Sequence, residues 1–403
     1  MKSSNAILKL AASLALITIL GPSAIDMYLS SLPEIATEFQ ASFANVQLTL
    51  TVFLLSMGAG QLFFGPVTDA YGRKKPLMVG IIVFIITALW AATADSIISL
   101  LYARFLQGLS ASLILVVSLS TVRDLTEGAK AAQLFALLMT IEGLAPVLAP
   151  AVGGVIDSIW GWRAVFIAIA IMGLVALVNS QINLKESLKA ENRIPLNIGN
   201  IFSTYKFIIS TRAFILPALS LSVAFFFLFA YIAGATLIYQ QNFGLSSKEF
   251  GFIFGFTGIA VLLGALLCSR VVNVLGIAKL TLYGVYLMGL GTLLALVFYS
   301  FGFGLYFIVS GLFISMLGLG ISESTLMALA MSSQTKALGS TAAILGAMQL
   351  IIASFATPLS GYFSELGTMH WLVLLVVICV VLICLTLMST AKIPNDTQVN
   401  LEH

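Results

Sequence analysis

The sequence predicts an all-α integral membrane protein whose twelve transmembrane helices form two six-helix, pseudo-symmetric bundles. Three observations carry this. Of the 403 residues, 60% are hydrophobic and 9% charged, with a mean hydropathy of +1.08, whereas a soluble domain carries about 25% charged residues. Apolar runs of about 20 residues, the length that crosses a hydrocarbon core, recur along the whole chain. One charged connection, 181–212, divides the runs into six and six. These proportions exclude a cytosolic globular enzyme, a disordered chain and a nucleic-acid binder. The formal net charge of +3 reads as topology.

In chain order, the first run, 8–30, follows Lys2 and Lys9 as a signal peptide would. It is too long for one, lacks a small-residue cleavage site and holds Pro22 and Asp26, so it reads as a retained span. Runs 43–66, 76–94, 97–121, 133–156 and 161–180 complete the first six. The second six are 213–239, 249–272, 278–300, 303–328, 337–360 and 370–390. The organisation is therefore a bundle over 1–180, a cytoplasmic linker over 181–212, and a second bundle with a short cytoplasmic tail over 213–403. Paired bundles with a cavity between them are common in secondary transporters. No loop is long enough to build a catalytic domain, so transport, sensing or channel formation remain and no enzyme is expected.

Sixteen of the nineteen Lys and Arg fall on one side if the N-terminus is cytoplasmic, against Arg163 and Lys248 on the other and Arg104 within a span. By the positive-inside rule both termini are expected to be cytoplasmic, and the expected location is a bacterial inner membrane, crossed many times. Cys268, Cys379 and Cys384 lie inside apolar runs and read as small apolar fillers. His370 and His403 are too far apart to suggest a metal site.

Ionisable groups inside a span are costly and usually face a cavity or a partner. Asp26 lies roughly 27 Å from the cytoplasmic end of span 1, and Arg104 roughly 10 Å below the outer face in span 4, at 1.5 Å per residue. Both fall in the outer half, so an ion pair or a shared wet pocket is geometrically allowed. Asp26 reads as a proton carrier or as a helix-end residue wetted from outside. Arg104 reads as its electrostatic partner or as a hydrogen-bonding hub. Glu142, roughly 13 Å into span 5, is a second protonatable site or a glutamate satisfied by neighbouring helices. Glu323 reaches cytoplasmic water, and Asp124, Asp157 and Lys248 are placed in loops.

The loop after span 2 reads Gly65-Pro66-Val67-Thr68-Asp69-Ala70-Tyr71-Gly72-Arg73-Lys74-Lys75. Its glycines suit a tight turn and close helix approach. Asp69 can accept from a helix N-terminus or pair with a basic side chain, which would make it an inner-gate latch. This run resembles the signature loop of the major facilitator superfamily, departing from it at Ala70, where the family often has arginine. The corresponding second-half loop keeps only Arg270, Asn273, Gly276 and Lys279. In span 4, Arg104-Phe105-Leu106-Gln107-Gly108 and Ala111 resemble a motif of proton-coupled members. In span 5, Gly143, Pro146, Ala149-Pro150 and Gly153-Gly154 resemble the antiporter motif of drug exporters, with Ala149 where glycine is frequent. Small residues and prolines there also permit close packing and a kink.

With Asp26-Met27-Tyr28, Gln47-Leu48-Thr49, Gly58-Ala59-Gly60-Gln61 and Thr121-Val122-Arg123-Asp124, the chain resembles the bicyclomycin-resistance/chloramphenicol-exporter branch of twelve-span drug:proton antiporters. Within that branch it is most similar to phenicol (chloramphenicol and florfenicol) exporters. The likeness is strong over 15–170 and rests on span count thereafter. It implies efflux of a drug in exchange for protons by alternating access, with Asp26, Glu142 and Arg104 coupling protons. Tyr28, Asp26, Arg104 and Tyr231 would meet the drug. Span 7 also carries Phe225, Phe226, Phe227 and Phe229, and Tyr231 is preferred because a buried hydroxyl needs a partner. The expected partners are a small amphipathic drug, protons and the bilayer, without nucleic acid, and one copy suffices. No G-x-x-x-x-G-K-[ST] loop is present, so the proton gradient is the expected energy source and no cofactor is expected. A proton-coupled sugar or metabolite carrier is the alternative.

Overall fold

The computed structural model describes residues 2–125, 128–193, 195–334 and 338–390, without the side chains of 2–9, 123, 128–133, 135–137, 139, 140, 142 and 198. Among the described residues there is no strand, and twelve helices are long and apolar enough to cross a membrane. Spans 1–6 are Leu10–Glu38, Phe43–Tyr71, Lys74–Ala92, Ile97–Val122, Gly143–Trp160 and Trp162–Asn183. Spans 7–12 are Arg212–Asn242, Ser247–Leu275, Ile277–Ser300, Leu305–Ser332, Leu338–Glu365 and Thr368–Thr390. They form two six-helix bundles. Loops alternate between two ends, here the basic end, which carries Arg73, Lys74 and Lys75, and the far end.

Several boundaries depart from the sequence reading for local reasons. Span 1 does not stop at residue 30 but turns through a 3₁₀ segment, Leu29–Ser31, and continues as Leu32–Glu38. Pro33 does not end it because Pro sits in the first turn of the new segment, where no N–H is needed. Asp157, expected in a loop, lies in the last turn of the helix Gly128–Trp160 and is buried. Asp124 lies in the last turn of the helix Ile97–Leu125 rather than in a loop, and Lys248 belongs to the first turn of span 8. The linker contains its own helix, Ile198–Ser210, capped by Asn197, whose side chain accepts from Asn200 N–H.

Within each bundle, span 4 packs between spans 2 and 3, and span 10 between spans 8 and 9. Two seams join the bundles, span 5 against span 8 and span 2 against span 11. Both are built on glycine. A Cβ on Gly255 would lie 2.4 Å from the Val147 carbonyl oxygen, and one on Gly251 would lie 2.3 Å from that of Pro150. Helix association in lipid gains little from apolar burial, so backbone approach of this kind supplies the contact. Outward-facing apolar side chains such as Ile86, Ile171 and Val380 remain exposed, as lipid solvation allows.

Candidate functional site

Arg104 is the largest charged side chain with no exposure at all. Its Nη1 donates to Gln107 Oε1 at 2.6 Å, a pairing that follows from their three-residue separation on one helix face. The guanidinium carbon lies 4.3 Å from the Phe53 ring centroid, 4.8 Å from Tyr28 and 5.7 Å from Phe166. Spans 1, 2 and 6 thus each supply one ring to a cation held by span 4. Gly108 makes this possible, since a Cβ there would fall 2.3 Å from the Phe53 carbonyl oxygen. Desolvated cation–π contacts are worth about 2 kcal/mol or more. Arg104 Nε and Nη2 and Gln107 Nε2 meet no acceptor among the described residues.

Tyr28 is oriented by a hydrogen bond to Thr49. Thr49 already donates to the Val46 carbonyl at 2.6 Å, so Tyr28 is the donor. The Tyr28 ring also packs against Phe166 at 5.3 Å. Asp26 is buried in the same span but makes no hydrogen bond or ion pair with Arg104. Helix geometry explains the separation: side chains two residues apart diverge by about 200°, so turning Tyr28 toward Arg104 turns Asp26 away. The side chain of Glu142 lies outside the described residues, and only its helix, Gly128–Trp160, is seen.

The span 5 motif performs packing. Gly153 sits on the Met27 carbonyl and Gly154 on that of Ser247, where a Cβ would lie at 2.0 and 2.3 Å. Pro150 lacks an N–H, which leaves the Pro146 carbonyl without its intrahelical donor. Gly258 of span 8 closes on that carbonyl, its Cβ position 3.0 Å away. Asp157 accepts from the Ser31 hydroxyl and ties the end of span 5 to the break in span 1.

Tyr231 lies in a different cluster. Its hydroxyl meets Thr257 at 2.8 Å, and its ring stacks on Phe254 at 5.4 Å and Trp371 at 6.3 Å. These partners come from spans 8 and 12, whereas those of Arg104 come from spans 1, 2, 4 and 6. Tyr28 and Arg104 are therefore brought together, and Tyr231 belongs to the core of the second bundle. Sequence reasoning missed Phe53, Phe166 and Trp371, and had Gln107 only as part of the span 4 motif, without its bond to Arg104. Gln107, one turn from Arg104, was the legible one.

At the basic end, Arg73 pairs with Asp69 at 2.7 Å and Asp124 at 2.9 Å, and its Nη1 donates to Thr68 Oγ1 at 2.8 Å. Burial lowers the affinity of Arg73 for its proton, but the Asp124 hydrogen bond and the Asp69 charge outweigh it and hold the group above its usual range. Glu186 of the linker accepts from the backbone N–H of Arg73 at 2.8 Å, Lys74 at 3.2 Å and Leu188 at 3.1 Å. Burial pushes its carboxyl up, yet these donors and Arg193 bring it below the ordinary glutamate value. Ser187 donates to Asp124 at 2.8 Å, and Lys74 Nζ to the Gln181 carbonyl at 3.2 Å. Gly72 is needed twice over: its φ is +91°, and a Cβ would lie 2.7 Å from Glu186. Gly65 corrects the expectation of close approach, because a Cβ there would meet nothing within 4 Å.

This cluster borders a cavity of about 290 Å³ between the bundles, lined by Gln61, Asp69, Arg73, Ser120, Tyr205 and Ser340 among others. Tyr205 of the linker helix, which lines it, donates to the Leu62 carbonyl at 2.9 Å. Residues 14–348 match the model of the Major Facilitator Superfamily. The chain belongs to that superfamily. Its members are transporters rather than enzymes, and this is a multi-pass membrane protein. It is 36% identical over 356 residues to the uncharacterized MFS-type transporter YdgK of Bacillus subtilis (strain 168), covering 88% of this chain and 89% of that one. It is 32% identical over 264 residues to a bicyclomycin resistance protein homolog of Haemophilus influenzae, covering 66% of each. The structure of a D-xylose-proton symporter superposes with a TM-score of 0.76 over 96% of both chains at 14% identity, a likeness of fold. Among the described residues no cluster of His, Cys, Asp and Glu could hold a metal.

Proposed function

We propose that this superfamily member exports a small, neutral, amphipathic drug of the phenicol type in exchange for protons. The observation that carries the proposal is Arg104, a cation shut beneath three aromatic rings with two nitrogens that meet no acceptor among the described residues. An ionisable group kept at such cost inside a membrane is a functional one by default. Rings and donors in one place suit an aromatic molecule bearing hydroxyl, carbonyl or nitro oxygens. The likeness to a bicyclomycin resistance protein homolog supports drug efflux over the sugar or metabolite alternative.

In this reading the bundles span 1–180 and 213–403, joined by the linker 181–212, and rock about the site. The basic end is cytoplasmic, by the bias of Lys and Arg, in a bacterial inner membrane. We read this as the inward-facing state, because the far-end depression of about 410 Å³ is closed beneath by the Gln47–Ala233 and Thr51–Thr357 bonds, whereas the basic end holds the cavity of about 290 Å³. Asp26 carries the proton and Glu142 is a second acid on its route. Arg104 and Tyr28 hold the drug, and Asp69 with Arg73 belongs to the inner gate. No cofactor is used. A proton entering against a neutral drug leaving draws on both the potential, about 2.3 kcal/mol per 100 mV, and the pH gradient. One copy of the chain completes the path.

Drug susceptibility of a pump-deficient bacterium tests this, comparing the parent with Asp26→Asn and Glu142→Gln at matched membrane expression. The expected result is resistance to chloramphenicol and florfenicol that Asp26→Asn abolishes. Resistance to none of the phenicols, bicyclomycin or a cationic dye, with uptake of a sugar analogue, would replace drug export by metabolite transport.

A further inference from the structure

Among the described residues, the hydrogen bonds that close the far end between the bundles come from uncharged side chains, with one exception. Gln47 Nε2 donates to the Ala233 carbonyl at 3.1 Å, and the hydroxyls of Thr51 and Thr357 meet at 2.6 Å. The exception is Glu365, the last residue of span 11. Its Oε1 accepts from the backbone N–H of Phe43 at 2.6 Å and of Ala44 at 3.2 Å, the first two residues of span 2. Among the described residues, no other ionised side chain bonds from one bundle to the other.

The first turn of any helix leaves its N–H groups without intrahelical acceptors. In span 2 this need is divided. Ser42 satisfies Asn45 from within the first bundle at 3.2 Å, while Phe43 and Ala44 are satisfied by a carboxylate of the second. That carboxylate also stands at the positive end of a 29-residue helix. One turn before it, Gly361 lies against Ala44, where a Cβ would come within 3.1 Å of the Ala44 Cα. The close approach that brings Glu365 into reach is thus built into span 11.

We propose that Glu365 is the far-end latch, the residue whose carboxylate sets how long the transporter stays closed at that end. Opening the end parts span 11 from span 2 and breaks both bonds together. Glu365 is exposed beside a depression of about 410 Å³ that includes Thr37, Ser42 and Asn242. Water therefore replaces the lost bonds, and the latch is weak enough to break in every cycle. The inference rests on alternating access and is independent of the drug and of the proton.

The test uses the full chain with Cys268, Cys379 and Cys384 changed to Ala and one reporter, Thr357→Cys, buried at the closed seam, whose lost bond to Thr51 is common to every variant compared. Intact cells are treated with a membrane-impermeant maleimide, without drug. Adding Glu365→Ala is expected to raise the labelling rate several-fold. Glu365→Gln, whose amide oxygen still accepts, is expected to raise it less. An Ala343→Cys reporter, at a residue that lines the basic-end cavity, should label more slowly in inside-out vesicles carrying Glu365→Ala. Ser42→Ala removes the local cap of the same helix and should leave Thr357→Cys at the parent rate. Equal labelling of parent and Glu365 variants would overturn the proposal. So would a rise with Ser42→Ala as large as with Glu365→Ala, because the cause would then be fraying of span 2. Should Glu365→Ala not reach the membrane, the comparison of Glu365→Gln with Ser42→Ala decides in the same way. Loss of the drug-export reading would leave these rates unchanged.

Discussion

Gly108 rests against the carbonyl of Phe53, and that contact brings the Phe53 ring to 4.3 Å from the Arg104 guanidinium carbon four residues away on the same helix. A backbone contact between spans 2 and 4 thus sets the electrostatics of the buried cation. Enlarging Gly108 to Ala should therefore act on two levels. Overpacking costs about 1–3 kcal/mol, and displacing Phe53 weakens the cation–π contact. Purified Gly108→Ala should unfold several degrees below the parent. Gly65→Ala, with open space around it, should match or slightly exceed the parent, because Ala is favoured over Gly in a helix by up to about 1 kcal/mol.

Arg104→Lys keeps the charge but loses the planar fork and the stacking surface. It should reduce drug resistance by about tenfold or more, and Phe53→Leu by about five- to thirtyfold, from the loss of a contact worth about 1–2 kcal/mol. Minimum inhibitory concentrations at matched membrane expression measure both. Resistance unchanged in Arg104→Lys would show that the aromatic box serves folding alone.

Tyr231→Phe removes one hydrogen bond to Thr257, whose own hydroxyl still donates to the Phe254 carbonyl at 2.7 Å. The expected cost is about 1 kcal/mol in stability, with drug resistance preserved within about twofold. Trp371→Ala should cost about 3–5 kcal/mol, since the indole fills the space opened by Gly234 and donates to the Ala230 carbonyl at 3.2 Å. A thermal melt in detergent, read beside resistance, separates the two roles. A large loss of resistance in Tyr231→Phe would place that residue at the drug site.

Glu186 holds the linker on the loop between spans 2 and 3, and its carboxyl lies below the unfolded value of 4.5. For an acid whose folded value is depressed, the stabilisation is complete above the unfolded value and disappears as pH falls through the folded one. Hydrogen exchange of residues 184–193 should therefore be slower in the parent than in Glu186→Gln at neutral pH. The difference should shrink as the pH falls below 4.5 and through the lower folded value. An equal difference at both pH values would mean that Glu186 acts by shape and not by charge.

Much of the protein was determined by its sequence alone. Twelve apolar runs and one charged linker follow from what a bilayer demands of any chain, so the span count and the six-plus-six division were legible residue by residue. Asp69, Gly72 and Arg73 were legible as a local cluster because they are close in sequence and geometrically constrained. Gln107 was readable in principle as the neighbour of Arg104 one turn away. The far-end carboxylate was not. Nothing around Glu365 in the sequence indicates that it caps a helix more than 300 residues earlier. Nor does anything there show that Tyr28 rather than Asp26 faces Arg104, or that Tyr231 turns into its own bundle. Hydropathy sets which residues enter the membrane and at what depth. Helix rotation and interhelical approach, set by where glycines let backbones touch, decide which of them meet.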